Sequence, residues 1–345
     1  MTRPLSRFAC LGVVLALFTL PTASAHASHV QCGDVITQDT TLDSDLVNCP
    51  GNGVVIGADG ITLDLGGHLI DGIPEQSQYG VDAGGHDRVT VENGSIRQFT
   101  YGALLTHSDD GRVAEVDLRE TFTGVRIEMG SRNLVERSAI SAYSAAIQIS
   151  GISNANSVED NVLTGSGNGV LTLPGPPSLQ TPIPRFNRIV GNTISGNQYG
   201  IFGYGYFMTI ERNLFDANSE AGIELISGID NDLAANRLRD NGGGIELEGQ
   251  TSDTAVSRNQ IVDSDEDGIS LSSAATGPIV IERNTTSVNG DDGIDVDSEH
   301  ATITKNTAND NGDLGIEAIP GVTDGGGNKA RGNGNPLQCL NVACK

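Results

Sequence analysis

The sequence predicts an all-β chain wound as a single parallel β-helix. The first observation behind this is a small residue followed by an aliphatic one, at a fixed period. It occurs at Gly80-Val81, Gly102-Ala103, Gly124-Val125, Ala146-Ile147, Gly169-Val170, Gly200-Ile201, Gly222-Ile223, Gly244-Ile245, Gly268-Ile269, Gly293-Ile294 and Gly315-Ile316. The spacings are 22, 22, 22, 23, 31, 22, 22, 24, 25 and 22 residues. Self-similarity at that period marks a stacked array. The second observation is a column of asparagines in step with the first: Asn192, Asn213, Asn236, Asn259, Asn284, Asn306 and Asn328. An aliphatic residue precedes the first six by three positions, and a second polar corner follows each by five. The third is strict alternation, as in Ile223-Glu224-Leu225 and Ile294-Asp295-Val296-Asp297, which is the period of a half-buried strand. No LxxLxL pattern or long helical stripe competes. The expectation is 11 to 12 coils, about 4.8 Å apart, in a rod roughly 55 Å long. Gly is expected to supply positive φ at sharp corners, and Asn to tolerate it while forming a hydrogen-bonded ladder.

Taken in chain order, residues 1–27 read as a secretory signal. Arg3 and Arg7 give the basic start, Phe8 to Leu20 the short apolar run, and Ala23-Ser24-Ala25 or Ala25-His26-Ala27 a small-residue cleavage site. The run is too short to span a bilayer, so a secreted protein at the cell surface or beyond is expected, with no membrane partner. Residues 28–52 are the expected N-terminal cap, 53–335 the β-helix and 336–345 a C-terminal cap. An open coil end presents unpaired strand edges, hence the need for caps. Four cysteines follow the signal, and an even count in an exported chain suggests disulfides. Of the three pairings four cysteines allow, the local ones are favoured: Cys32–Cys49 and Cys339–Cys344. The 31-residue step contains "LPGPPSLQTPIPRF", Leu173 to Phe186, whose prolines cannot continue a central ladder. It reads as a loop leaving the rod.

The repeat N-x-[apolar]-x-x-N-x-x-x-G-I resembles those of the pectin-lyase-like superfamily of right-handed parallel β-helices. It is also similar to the β-helix of periplasmic copper-accessory proteins. The resemblance covers about residues 53–335 and implies a right-handed coil. It implies no single reaction, because the fold hosts lyases, hydrolases, epimerases and binders. "NGDDGID" also resembles part of the polygalacturonase acidic signature, which would make Asp291, Asp292 and Asp295 acid and base. The GHG and RIK segments of that family are missing. "THSDD", Thr106 to Asp110, resembles the DPHD segment of alginate epimerases only faintly. Copper ligation would call for Met or His clusters, and only two Met follow the signal.

Charge narrows the partners. Residues 28–345 carry 18 basic and 44 acidic side chains, the signal holding Arg3 and Arg7, for a net charge of −26. Asp216 to Glu317 alone holds 22 acidic residues against five basic. Such a surface repels nucleic acid, anionic lipid and free polyuronate. It suits cations, neutral glycans, or a high-salt environment. In register, Glu266, Asp291 and Asp313 stack two residues before Gly, and Asp267 and Asp292 one before. Like charges about 5 Å apart repel by about 0.8 kcal/mol in water, so cations are expected among them, calcium above all. A solvated acidic corner with diffuse counterions is the competing reading.

The outward position two after Gly forms a wall: Asp82, Leu104, Arg126, Gln148, Leu171, Phe202, Glu224, Glu246, Ser270, Asp295 and Glu317. Phe202 and Tyr204 are expected to face outward together, beside the stacked Glu224 and Glu246 and in register with Arg126. Flat apolar rings beside hydrogen-bond acceptors suit a sugar chain. The alternative is that these rings cover the base of the proline-rich loop. Glu224 and Glu246, one coil apart, would lie near the separation used by retaining glycosidases. His68, His86, His107 and His300 fall in different register positions and suggest surface roles. The expected function is therefore a monomeric binder of extracellular polysaccharide without a complete catalytic set. The alternatives are a lyase or glycosidase with a diverged site, and a structural or metal-binding surface protein.

Overall fold

A computed structural model describes residues 29–76, 78–175 and 183–345. The expected signal and the middle of the proline-rich segment, residues 176–182, lie outside the described residues. Every strand pairing among the described residues is parallel and joins segments one turn apart along the chain. Three faces result. Face 1 runs from Asp34–Ile36 to Ile316–Ala318, face 2 from Thr40–Thr41 to Thr323–Gly326, and face 3 from Leu46–Cys49 to Lys329–Arg331. The chain makes about 13 turns rather than 11 to 12. The difference lies at the start. Residues 34–49, expected as a cap, supply a full turn that pairs with residues 54–72 on all three faces. Their letters depart from the Gly-Ile pattern, so the repeat did not reveal them.

The inward residues build one continuous core. Ile147, Val170, Ile201, Ile223, Ile245, Ile269, Ile294 and Ile316 are all fully buried and stack rung on rung. Where corners bend gently the ladder runs through them. Arg112–Glu128 is a single 17-residue strand that crosses all three faces.

The asparagines do form ladders. Asn236 donates its backbone N–H and Nδ2 to Asn259 Oδ1 at 2.9 and 3.0 Å, and Nδ2 also reaches Ile210 O at 2.8 Å. The same pattern links Asn161, Asn192, Asn213, Asn236, Asn259, Asn284, Asn306 and Asn328. Buried amides are thus satisfied along the axis, as burial demands. A second row, from Asn197 through Asn218 to Asn241, breaks at Ser264 and resumes with Asn289, Asn311 and Asn333.

Glycines such as Gly191, Gly196, Gly327 and Gly332 do supply positive φ at corners, but the two repeat columns themselves do not. The Gly of the Gly-Ile steps does not adopt positive φ. A Cβ on Gly80, Gly102 or Gly268 would lie 2.6, 2.7 or 2.6 Å from the carbonyl oxygen of the Gly one turn on. Close approach of backbones excludes a side chain there. Positive φ falls on the residue before each ladder Asn, which is Gly191 or Gly327 in some turns and a residue such as Arg212, Ala235, Arg258, Arg283 or Lys305, at 54° or 55°, in others.

Both expected disulfides are present, Cys32–Cys49 and Cys339–Cys344. The second closes a short segment laid over the last turn, where Cys339 bridges Ile316 on face 1 and Cys344 bridges Asn328 at the corner before face 3. Gln338 ends the second ladder by accepting from Asn333 N and Nδ2 at 3.1 and 3.0 Å.

Candidate acidic and aromatic wall on face 1

Face 1 carries the candidate site because its outward side chains lie in one unbroken column. Cα register pairs Asp82 with Leu104, Leu104 with Arg126, Arg126 with Gln148, Gln148 with Leu171, and Leu171 with Phe202. It continues through Glu224, Glu246, Ser270, Asp295 and Glu317. Each residue named for the wall from its repeat position thus has its expected neighbours.

The carboxyl groups cluster toward the C-terminal end. Asp267, Asp291 and Asp292 place carboxylate oxygens within 4.8 Å of one another, and so do Asp292, Asp295 and Glu317. Asp292 belongs to both groups and is buried. Its Oδ1 accepts the Leu314 N–H at 2.6 Å, while Asp267 Oδ1 accepts the Asp292 N–H at 2.8 Å. Those bonds fix both carboxyls against the corner of the next turn. Of the five residues expected to hold a cation, Asp267, Asp291 and Asp292 converge. Glu266 and Asp313 stand outside both groups. Glu317 and Asp295 join through the register of the strand, which places the wall beside the corner.

Crowded burial raises these acids. Burial first, then the charges of Glu224 and Glu266, pushes Glu246 up to about 7. Asp295 is pushed up to about 7 by burial and then by Asp267. Asp267 reaches about 6, burial being opposed by the Asp292 N–H. Asp292 is raised by burial and by its hydrogen bond with Glu317, against the pull of the Leu314 N–H. Glu224 is raised by burial and by Glu248. Such groups can release a proton to a basic ligand atom, donate one to a leaving oxygen, or give up protons to a divalent cation.

The aromatic residues sit in the middle of the wall. Phe202 packs against Tyr199, with ring centroids 4.8 Å apart, one rung before Glu224. Gly203 adopts φ +131°, and the register slips between Gly203 and Tyr204 so that Tyr204 faces Ser227. Phe202, Tyr204 and Tyr206 alternate as half-buried positions along Tyr199–Tyr206. Phe186, at the far side of the proline-rich segment, stacks on Phe207 at 4.8 Å rather than on Phe202. Arg126 lies three rungs from Phe202 and is tied locally. Its Nη1 donates to the Tyr101 hydroxyl at 2.6 Å, and its Nη2 pairs with Glu128 at 2.9 Å. His68 and His86 pair separately with Asp45 and Asp59, in keeping with surface roles. Sequence reasoning missed Tyr79 and Tyr101. The signal was available, because the Gly step is preceded by Tyr at Tyr79, Tyr101 and Tyr199.

The fold is similar to several solved structures. They include the surface adhesin PfbA of Streptococcus pneumoniae, at 14% identity and TM-score 0.54, covering 83% of each chain. The A-module of the Azotobacter vinelandii mannuronan C-5 epimerase AlgE4 matches at 14% identity and TM-score 0.51, over 88% of this chain and 87% of that one. The catalytic unit of a Streptomyces thermodiastaticus GH87 alpha-1,3-glucanase matches at 16% identity and TM-score 0.50, over 88% of this chain and 64% of that one. No curated protein sequence matches the chain. The family described as a right-handed β-helix region matches residues 184–334. The family described as periplasmic copper-binding protein (NosD) matches residues 52–241, which is 190 of 345 positions, and the chain belongs to that family.

Proposed function

We propose that the chain is an exported binder of a neutral polysaccharide that lies along face 1. The observation that carries this reading is the unbroken outward column in which the rings of Tyr199 and Phe202 adjoin Glu224 and Glu246. Aromatic rings stack on the apolar faces of sugars, and carboxyl groups accept from their hydroxyls. The net charge of −24 disfavours an anionic polymer. Similarity to an adhesin, a glucanase and an epimerase supports a polysaccharide partner. Two disulfides and the family's periplasmic description support a location outside the cytoplasm. Affinity electrophoresis through gels cast with neutral polysaccharides tests the reading. Retardation by at least one polymer is expected, and F202A/Y204A should lose it. Equal mobility of that variant and the parent would overturn the assignment.

Glycoside hydrolysis is a second reading, favoured by one observation: Glu246 and Asp295 are raised to about 7, and Asp292 is hydrogen-bonded to Glu317. A protonated acid beside an ionised one is the arrangement that glycosidic cleavage needs. Release of new reducing ends by the parent, and its loss in E246Q or D292N, would establish it. No release from any retained polymer would exclude it.

The family description names copper, and the residues present do not fit it. The converging groups among the described residues hold only carboxylates. The four described cysteines are in disulfides, and of the two described methionines Met208 is buried in the core while Met129, half-buried, stands several turns away, so no thioether cluster forms. Hard oxygen donors suit calcium instead. Millimolar calcium should raise the melting temperature of the parent, while sodium at equal ionic strength should not.

A further inference from the structure

We infer that face 1 carries a second sugar site at its N-terminal end, built from Tyr79, Tyr101, Arg126 and Glu128, and that one neutral glycan spans both sites. The inference rests on the polysaccharide-binding reading above and extends it to a part of the wall that reading does not use. Four observations meet here. The rings of Tyr79 and Tyr101 stack in consecutive turns, with centroids 5.7 Å apart and planes 23° from parallel. They line a depression of about 350 Å³ together with Leu104, Arg126 and Glu128. The Arg126 guanidinium lies 5.0 Å from the centroid of the Tyr101 ring, which fixes its plane. It uses Nη1 for the Tyr101 hydroxyl and Nη2 for Glu128, while Nε is buried without a partner.

The chemistry of that group selects its ligand. A guanidinium offers five N–H donors in a fixed fork, and Glu128 beside it only accepts. Together they present donors and an acceptor at one rim, with the tyrosine ring edges and Leu104 alongside as an apolar border. Vicinal hydroxyls of an uncharged pyranose match this rim, and its C–H face packs on the apolar border. Pairing with Glu128 cancels the arginine charge, so a carboxylated sugar gains nothing from it. The site therefore takes the same neutral class as the Phe202 platform.

Register then relates the two sites. Tyr101 aligns with Thr123, Thr123 with Ala145, Ala145 with Asn168, and Asn168 with Tyr199. Four rungs separate the platforms, a distance of about 19 Å along the axis. The column positions between them are Gln148, half-buried, and Leu171, only 9% exposed, and neither is charged. A single extended oligosaccharide running parallel to the axis reaches both, and joining two sites on one rigid rod raises affinity through effective concentration.

Affinity electrophoresis with laminarin, galactomannan, xyloglucan and dextran, followed by titration with oligosaccharides of the retained polymer, tests this. Y101A, R126Q and F202A are each expected to weaken retention by about tenfold. For the parent, an eight-residue oligosaccharide should bind more tightly than a three-residue one, and in Y101A this advantage should vanish. Thermal melts establish that Y101A is folded, and Y101F, which keeps the ring, should retain most of the affinity. Retention lost in F202A but unchanged in both Y101A and R126Q would overturn the second site and leave the first standing. Mobility unaltered by all four polymers would overturn both.

Discussion

The two halves of the rod share one backbone and differ in their electrostatics. In the N-terminal half acids meet cations: Arg97 bonds Asp71 at 3.0 Å, Arg112 bonds Glu92 and Glu136 at 2.6 and 2.8 Å, and Arg132 bonds Asp110 at 2.7 Å. In the C-terminal half none of the described ion pairs involves Glu224, Glu246, Asp267, Asp292 or Asp295. Inward letters are nearly interchangeable between the halves, since Val125, Ile147, Ile245 and Ile294 are all fully buried. The fold is thus written in one set of positions and the surface chemistry in another. A strand's alternation separates the two, so either can change without the other.

The largest expected effect concerns what both halves require. Asn259→Leu removes the acceptor of the Asn236 N–H and Nδ2 and leaves them buried. Urea unfolding should show a loss of about 3 kcal/mol, because unsatisfied buried groups carry their full desolvation cost. A loss under 1 kcal/mol would mean that the ladder is filled by water.

Acid and base should then act on the halves with opposite sign. Glu246, Asp267 and Asp295 have folded values near 7, 6 and 7, above their ordinary 4.5, 3.8 and 3.8. The native chain keeps protons that the unfolded chain releases, so stability falls as pH rises. The C-terminal half should be firmest below about pH 4 and loosen progressively up to about pH 7. In the N-terminal half, Asp45, Asp59 and Asp110 are lowered by hydrogen bonds from Leu69, His86 and Arg132 respectively. Their contribution is present at neutral pH and is lost as pH falls below the ordinary carboxylate range. Hydrogen exchange resolved along the chain, reported as opening free energies, would detect the crossing. Parallel trends in both halves would refute the contrast. In E246Q/D267N/D295N the C-terminal slope should flatten.

The smallest effect is a repair. Ser264 breaks the second ladder, and its buried Oγ has no partner. Ser264→Asn should restore the row between Asn241 and Asn289 and add about 1 kcal/mol, read as a higher urea midpoint. A lower midpoint would show that the corner is too tight for the longer side chain.

Legibility followed the same division. The parallel coil, the register of the wall from Asp82 to Glu317, the asparagine rows and both disulfides were readable, because each repeats or pairs locally. The first turn was not, because Asp34–Ile36 carries different letters on the same path. The site was half legible. Phe202, Glu224 and Glu246 follow from counting along strands. The meeting of Asp292 with Glu317, and the exclusion of Glu266 and Asp313, depend on which way corner side chains turn.

By itself, the sequence determined that this chain stacks. A period of 22 with apolar letters at fixed offsets has one low-energy solution, in which each turn covers the apolar surface of the last. Only the tertiary structure decided which acids share a corner, how deeply they are buried, and that Tyr79, Tyr101 and Arg126 meet in one depression. Periodicity fixes where a side chain starts. Where its end group lies depends on neighbours one turn away, and the ionisation of that group depends on the water those neighbours exclude.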